Sequence, residues 1–203
     1  MTIQAIMSAA PVIPVLVLDG SLDPVALAET LVEAGLPVIE VTLRTPGSLA
    51  AIRKMVGVKD AIVGAGTVLN ERQLDQASEA GAAFAVSPGL LDSLVEAARD
   101  RGLPYLPGIS DASHIMKGLD LGLDRFKFFP AEASGGIEYL SALAAPFAEV
   151  RFCPTGGIKA GTAAKWLELP SVECVGGSWI ARQGDSDLAA IADRARAAAA
   201  LRS

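Results

Sequence analysis

At 203 residues the chain is long enough for one well-buried core and sits near the lower edge, about 200 residues, of the size range of eightfold β/α barrels. Hydrophobic residues make up 51% of it, yet apolar runs such as residues 11–18 fall far short of the ~20 residues that a membrane helix needs. A net charge of −6 with no basic cluster argues against nucleic acid or an anionic membrane surface as a partner.

Residues 1–10 lack the basic start and long apolar stretch of a secretory signal and read as a short helix of the mature protein. A cytoplasmic location is therefore expected, and with it reduced thiols at Cys153 and Cys174, each inside an apolar strand-like run. From there the chain is punctuated by Gly35, Gly57, Gly81, Gly102 and Gly122, which recur every 20 to 24 residues, each closing a helical pattern ahead of a β-rich run. Strands are predicted at 12–18, 37–43, 61–65, 83–87, 103–106, 125–129, 150–153 and 172–175, most of them short and apolar on both faces, as doubly covered parallel strands are. Asp23-Pro24, Thr45-Pro46, Asn70 and Ser110-Asp111 mark helix starts between them. An open doubly wound sheet also alternates in this way, but eight near-equal units without a long insertion favour one domain, residues 1–203, closed as a (β/α)8 TIM barrel behind a short N-terminal helix.

Ligands of such a barrel bind at the C-terminal ends of the strands, so polar residues there are the informative ones. Lys127 lies in Arg125-Phe126-Lys127-Phe128-Phe129, where period-two alternation turns Phe126 and Phe128 toward the helices and Lys127 with Phe129 inward. Such a lysine either snorkels to the rim, pairs with a carboxylate, or, since burial disfavours an ammonium, supplies a free amine that condenses with a carbonyl. Alternation on its own leaves these readings open. The same period puts Glu40, Thr42 and Arg44 on one face of the second strand, so that Glu40 is either an ion-pair partner or a proton-transfer group. Lys, Glu, Arg and Thr converging at one mouth exceed what a structural pair needs. Thr67 follows the third strand and Pro88 the fourth. Thr155-Gly156-Gly157 and Gly176-Gly177-Ser178 follow the last two strands, where barrels hold phosphate on backbone N–H groups; tight turns needing positive φ are the plainer reading of the glycine pairs.

The single histidine, His114, falls inside a helical pattern away from the strand ends and is set aside as a surface or half-buried residue. No Cys/His/Asp cluster has metal-ligand spacing, so neither a metal nor a Ser-His-Asp triad is expected. Gly64-Ala65-Gly66-Thr67 lacks the GxGxxG spacing of a dinucleotide loop, and Trp166 and Trp179 read as packing residues.

Ile39-Glu40-Val41-Thr42-Leu43-Arg44-Thr45, Gly64-Ala65-Gly66-Thr67-Val68, Ser87-Pro88-Gly89, Pro107-Gly108, Phe126-Lys127-Phe128-Phe129-Pro130-Ala131-Glu132 and Pro154-Thr155-Gly156-Gly157 follow one another here as they do in the class I 2-keto-3-deoxy-6-phosphogluconate aldolases. From Pro11 to about Trp179 the chain resembles that family. The resemblance implies a β/α-barrel homotrimer of the Entner–Doudoroff pathway that acts on a phosphorylated keto acid without metal or organic cofactor. It implies Lys127 as the Schiff-base lysine and Glu40 as the general acid/base. Arg44 and Thr67 would hold the pyruvate carboxylate, Pro88 and Phe129 line that pocket, and Thr155, Gly156, Gly157 and Ser178 meet the polar tail and phosphate. The galactonate epimer and 4-hydroxy-2-oxoglutarate are alternative substrates; Thr155, at a position that tends to be apolar in galactonate-type enzymes, favours the gluconate form. From other classes, a sugar-phosphate isomerase or epimerase and a non-catalytic phosphate-binding barrel remain as readings that need no free amine.

Overall fold

The computed structural model describes residues 1–201. Helices and parallel strands alternate through the described residues: α1 (Ile3–Ser8), β1 (Val12–Leu16), α2 (Pro24–Glu33), β2 (Val38–Thr42), α3 (Ser48–Met55), β3 (Ile62–Gly66), α4 (Glu71–Glu79), β4 (Phe84–Val86), α5 (Asp92–Asp100), β5 (Tyr105–Leu106), β6 (Gly108–Ile109), α6 (Ala112–Asp120), β7 (Arg125–Phe128), α7 (Gly136–Ala144), β8 (Arg151–Pro154), α8 (Ala160–Leu167), β9 (Val175–Gly177) and α9 (Leu188–Ala199). The glycine punctuation has a physical basis at four of its five positions. Gly35, Gly81, Gly102 and Gly122 have positive φ, and the residue after each donates its N–H back to the helix, Leu36 to the Leu31 carbonyl for example, which satisfies carbonyls that the helix end leaves free. Gly57 does not; after α3 the left-handed turn falls on Asp60, at φ 64°.

Helix starts follow the short acceptor side chains at three of the four expected places. Asp23 accepts from Ala26 N, Asn70 from Gln73 N and Asp111 from His114 N. Thr45-Pro46 is not a cap. Its helix begins later, at Ser48, and the Thr45 hydroxyl instead donates to the Leu18 carbonyl at 2.6 Å, tying the end of β2 to the loop after β1.

Every strand pairing is parallel, as expected of apolar strands between helices. Hydrogen bonds divide the strands into a six-stranded half-barrel in the order β5-β4-β3-β2-β1-β9 and a three-stranded sheet β6-β7-β8. Two predicted strands are corrected. The one expected at 103–106 runs later and is split at Pro107, which has no N–H to offer: β5 pairs with β4, and β6 pairs with β7. The one expected at 172–175 is β9, Val175–Gly177; Val172 lies ahead of it and forms an isolated bridge with Phe152. Between that bridge and the next, Thr155 with Gly176, the chain advances three residues on one side and four on the other, so an extra residue shifts the strand toward its C-terminal end.

Apolar side chains form two clusters. The larger lies between strands and helices and includes Phe126, Phe128 and Trp166. The outward turn of the β7 phenylalanines is as expected: the Phe128 ring stacks on Tyr139 of α7 at 6.0 Å and meets Trp166 of α8 at 6.3 Å. The smaller cluster joins Ile6 and Met7 of α1 to Ile13, Val38, Phe84, Val86, Leu106, Cys153 and Cys174 on the opposite faces of the strands. At six residues α1 is too short to persist alone, and burying Ile6 and Met7 at the N-terminal ends of the strands is what holds it. No helix among the described residues is long and apolar enough to cross a membrane.

Candidate active site

On β2, Val38, Glu40 and Thr42 share the inner face, with Val38 in the smaller cluster at the N-terminal end and Glu40 one rung nearer the strand's C-terminus. On β7 the inner positions are Arg125 and Lys127. The two strands belong to different sheets, yet Lys127 Nζ donates to Glu40 Oε1 at 3.0 Å and lies 3.4 Å from Oε2. Lys127 is 6% exposed and Glu40 4%. The lysine therefore does not snorkel; of the readings that alternation left open, the carboxylate partner is present, and the Phe129 ring centroid lies 5.6 Å from the ammonium. A buried pair of this kind keeps a potential nucleophile and a proton acceptor in direct contact.

Above the pair, Arg44 is exposed, and its Nε donates to Thr67 Oγ1 at 3.3 Å. No carboxylate pairs with this guanidinium among the described residues, so its fork is available to an anion. Thr67 sits at φ 59°, an uncommon conformation for a β-branched residue. Thr42, also on the inner face, is fully buried, and its hydroxyl donates to the Leu16 carbonyl at 2.8 Å. Pro88 follows β4 beside Ser87, whose hydroxyl contacts both the Gly89 carbonyl and the Tyr105 hydroxyl. Burial pushes the Tyr105 phenol up to about 12.

The end of β8 and the loop after β7 are stitched together: Ala131 N donates to Thr155 O at 2.8 Å and Glu132 N to Gly156 O at 3.0 Å. Trp166, expected as packing, is fully buried, and its Nε1 donates to Glu132 Oε1 at 3.0 Å. Thr155 is buried with its hydroxyl 3.3 Å from the Cys153 carbonyl. Gly156 and Gly157 form a turn with φ of 105° and 84°, three residues before α8. Gly176 and Gly177 are not such a turn. They are buried on β9 without positive φ, and they are small for another reason: a Cβ on Gly176 would lie 2.3 Å from Thr155 Oγ1, and one on Gly177 2.7 Å from Val12 Cγ1. Ser178, next along the chain, is exposed. His114 lies on α6 beside Asp111, with Nδ1 3.0 Å from Oδ2, apart from these residues.

Three neighbours of the pair escape a reading based on polarity. Cys153 is the register partner of Lys127 and a buried free thiol. Gly64 leaves room for the Phe84 ring and Gly66 for the Glu40 carboxylate. The available signal was two glycines on the inner face of a strand, where a side chain is missing because a neighbour occupies its place. A cavity of about 430 Å³, lined by Leu18, Asp19, Thr45, Pro46 and Lys54 among others, does not reach Lys127 or Glu40.

Residues 3–194 match the family model described as KDPG and KHG aldolase. The chain is 53% identical over 200 residues to the 2-dehydro-3-deoxy-phosphogluconate aldolase of Zymomonas mobilis, covering 98% of this chain and 96% of that one. It is 51% identical over 178 residues to the KHG/KDPG aldolase of Escherichia coli, covering 87% and 84%. The crystal structure of KDPG aldolase from Legionella pneumophila, with pyruvate captured at low pH as a covalent carbinolamine intermediate, superposes with a TM-score of 0.95 at 40% identity and covers 98% of this chain and 99% of that one. By sequence across nearly its whole length, and by the fold that carries the Lys127–Glu40 pair, the chain belongs to the KDPG and KHG aldolase family.

Proposed function

We propose that the protein is a class I aldolase that cleaves 2-keto-3-deoxy-6-phosphogluconate to pyruvate and glyceraldehyde 3-phosphate, the carbon–carbon lyase step of the Entner–Doudoroff pathway. The observation that carries this reading is the buried contact of 3.0 Å between Lys127 Nζ and Glu40 Oε1. Once Glu40 takes a proton from the ammonium, the Lys127 amine adds to the C2 ketone, and the carbinolamine loses water as Glu40 returns the proton. The resulting iminium is the electron sink. Glu40, directly or through a water, takes the C4 hydroxyl proton, the C3–C4 bond breaks, its electrons pass to the iminium, and the aldehyde leaves. Protonation of the enamine and hydrolysis of the imine release pyruvate and restore the lysine. A covalent carbinolamine in the 40%-identical Legionella enzyme supports the first of these steps.

Arg44, with its unpaired fork, and Thr67 hold the pyruvate carboxylate and fix the ketone against the lysine, while Pro88 and Phe129 line that pocket. The phosphate tail lies on the Gly156–Gly157 turn ahead of α8 and against Ser178; Thr155 meets the polar middle of the substrate, and Gly176 and Gly177 serve by keeping their strand thin beside it. The two hydrogen-bonded sheets act as arcs of one eight-stranded barrel: β5 and β6 meet at Pro107, the Thr155–Gly176 bridge joins β8 to β9, and the Lys127–Glu40 contact crosses the interior. The chain works as one domain, as a homotrimer and in the cytoplasm, by extension from the resemblance.

Incubation with pyruvate and borohydride tests the reading: the intact protein gains the mass of a reduced pyruvyl adduct, mapped to Lys127. Absence of the adduct, or its survival in Lys127→Met, sinks the imine, and an isomerase or a mere phosphate binder becomes the better account. Glu40→Gln retains pyruvate binding and loses ~10²–10⁴-fold in turnover. A second substrate is favoured by the Escherichia coli relative, named for both 4-hydroxy-2-oxoglutarate (KHG) and KDPG cleavage; the ratio of kcat/KM on that acid, on the gluconate form and on its galactonate epimer ranks the three.

A further inference from the structure

The position of the Glu40 carboxylate is not explained by hydrogen bonding. Lys127 Nζ is the one group that donates to it among the described residues. That tether changes character through the proposed cycle, because the ammonium loses a proton, becomes a carbinolamine and then an iminium. A carboxylate held by it alone would wander when the lysine is occupied with substrate. Its other neighbours are shape, not charge. Glu40 is paired in register with Gly64, and the rung it would cover there is filled by the Phe84 ring, within 2.5 Å of where a Gly64 Cβ would be. The Glu40 side chain therefore leans one rung toward the strand's C-terminus and lies over Gly66. An ideal Cβ on Gly66 would be 2.2 Å from Glu40 Oε1, 2.6 Å from Cγ and 2.7 Å from Cδ, closer than atoms can approach.

Building on the acid/base reading of Glu40, we infer that Gly66 is a positioning residue: its missing side chain is the cradle that keeps the carboxylate facing Lys127 Nζ whatever the lysine's covalent state. Gly66 does not have a positive φ, so its backbone accepts alanine without strain, and the three atoms nearest an added methyl, Oε1, Cγ and Cδ of Glu40, belong to one flexible side chain rather than to backbone. Alanine at 66 moves the carboxylate and leaves the strand.

The test compares Gly66→Ala, Glu40→Asp, the double variant and Glu40→Gln in turnover, in trapping of pyruvate by borohydride, and in thermal unfolding. Gly66→Ala is expected to unfold within a few degrees of the wild type and to form the Lys127 adduct at equilibrium. It loses ~10²-fold in kcat with little change in KM, the scale of a misplacement of about 1 Å. Aspartate loses the Oε1 that comes within 2.2 Å of the new methyl but keeps a Cγ at 2.6 Å, so it relieves the clash in part: the double variant turns over faster than the product of the two single losses, although Glu40→Asp alone slows the enzyme. That non-additivity is the readout a merely structural glycine would not give. Gly66→Ala turning over within about twofold of wild type, or a double variant no faster than the product of the two single losses, overturns the proposal. So does a chain that fails to fold with alanine at 66 whether residue 40 is glutamate or aspartate, since the methyl would then be striking backbone. If instead Glu40→Gln keeps full turnover, it is the acid/base reading that fails, independently of the cradle.

Discussion

Thr67 sits at φ 59°, in the left-handed region, and a β-branched residue held there costs about 1–3 kcal/mol. That cost is tolerated where the residue has a task, and its hydroxyl accepts from Arg44, the unpaired cation at the mouth. Thr67→Gly removes both. The variant is expected to be more stable by up to about 1 kcal/mol in urea unfolding, because glycine enters this region freely, yet to bind pyruvate more weakly as Arg44 loses its brace. A variant both less stable and unimpaired in binding would mean that the conformation is incidental. Lys127 presents the opposite problem. Truncating one partner of a buried ion pair leaves the other charge uncompensated, at about 3–5 kcal/mol, so Lys127→Met is expected to be destabilised as well as inactive. Lys127→Arg separates the two effects: a guanidinium still faces Glu40 but forms no imine. It should melt nearer the wild type than Lys127→Met does and show no borohydride adduct.

At the level of elements, β4 and β5 are tied at the site by Ser87 and Tyr105, whose hydroxyls are in contact next to Pro88. The buried phenol ionises only at about 12, against an ordinary value of 10.0. Below pH 10 it is neutral in both folded and unfolded chains. Between pH 10 and 12 the unfolded chain releases the proton and the folded chain does not, so stability falls across that window, by about 2–3 kcal/mol in all. Urea unfolding at pH 9 and pH 11.5 should show this loss in the wild type and a smaller one in Tyr105→Phe; equal slopes in the two proteins rule the phenol out as its source. The same elements mark how far the sequence could be read. Alternation oriented Glu40 on β2 and Lys127 on β7 correctly, because the period of two is steric and local. Asp23, Asn70 and Asp111 were legible as caps because a short side chain reaches its own helix. The shift of β9 was not legible, since Val172 and Val175 are both apolar and only the distant partners Pro11 and Thr155 decide which of them joins the strand. Gly66 was silent for a related reason: what it accommodates comes from another strand, and a missing side chain carries no polarity to read.

For the molecule as a whole, the order of strands matters more than the strength of any one. β1 lies between β2 and β9, so Val12 near the start of the chain pairs with Val175 near its end, and α9 packs against α2 over the same seam. Glu40 stands beside that pairing, since its register partner Val15 follows directly on the β1 residues that pair with β9, whereas Lys127 lies on a strand away from it. Lys127 and Glu40 stand on strands of different sheets, and apart from their own contact it is the packing of the two sheets that keeps them 3.0 Å apart. Parallel pairs so distant in sequence repay the entropy of loop closure only when the last strand docks, which makes folding slow and strongly cooperative. A chain ending at Pro170 keeps Lys127, Glu40, Arg44, Thr67 and Thr155 but lacks β9 and α9, leaving the edge of β1 unpaired and α2 without the helix that packs against it. It is expected to give no cooperative unfolding transition and no borohydride adduct with pyruvate, although every residue assigned to imine chemistry is present. A fragment that melts cooperatively and traps pyruvate would show that the elements from β1 to β8 are sufficient, and that the pairing of β9 with β1 serves stability rather than the geometry of the catalytic pair.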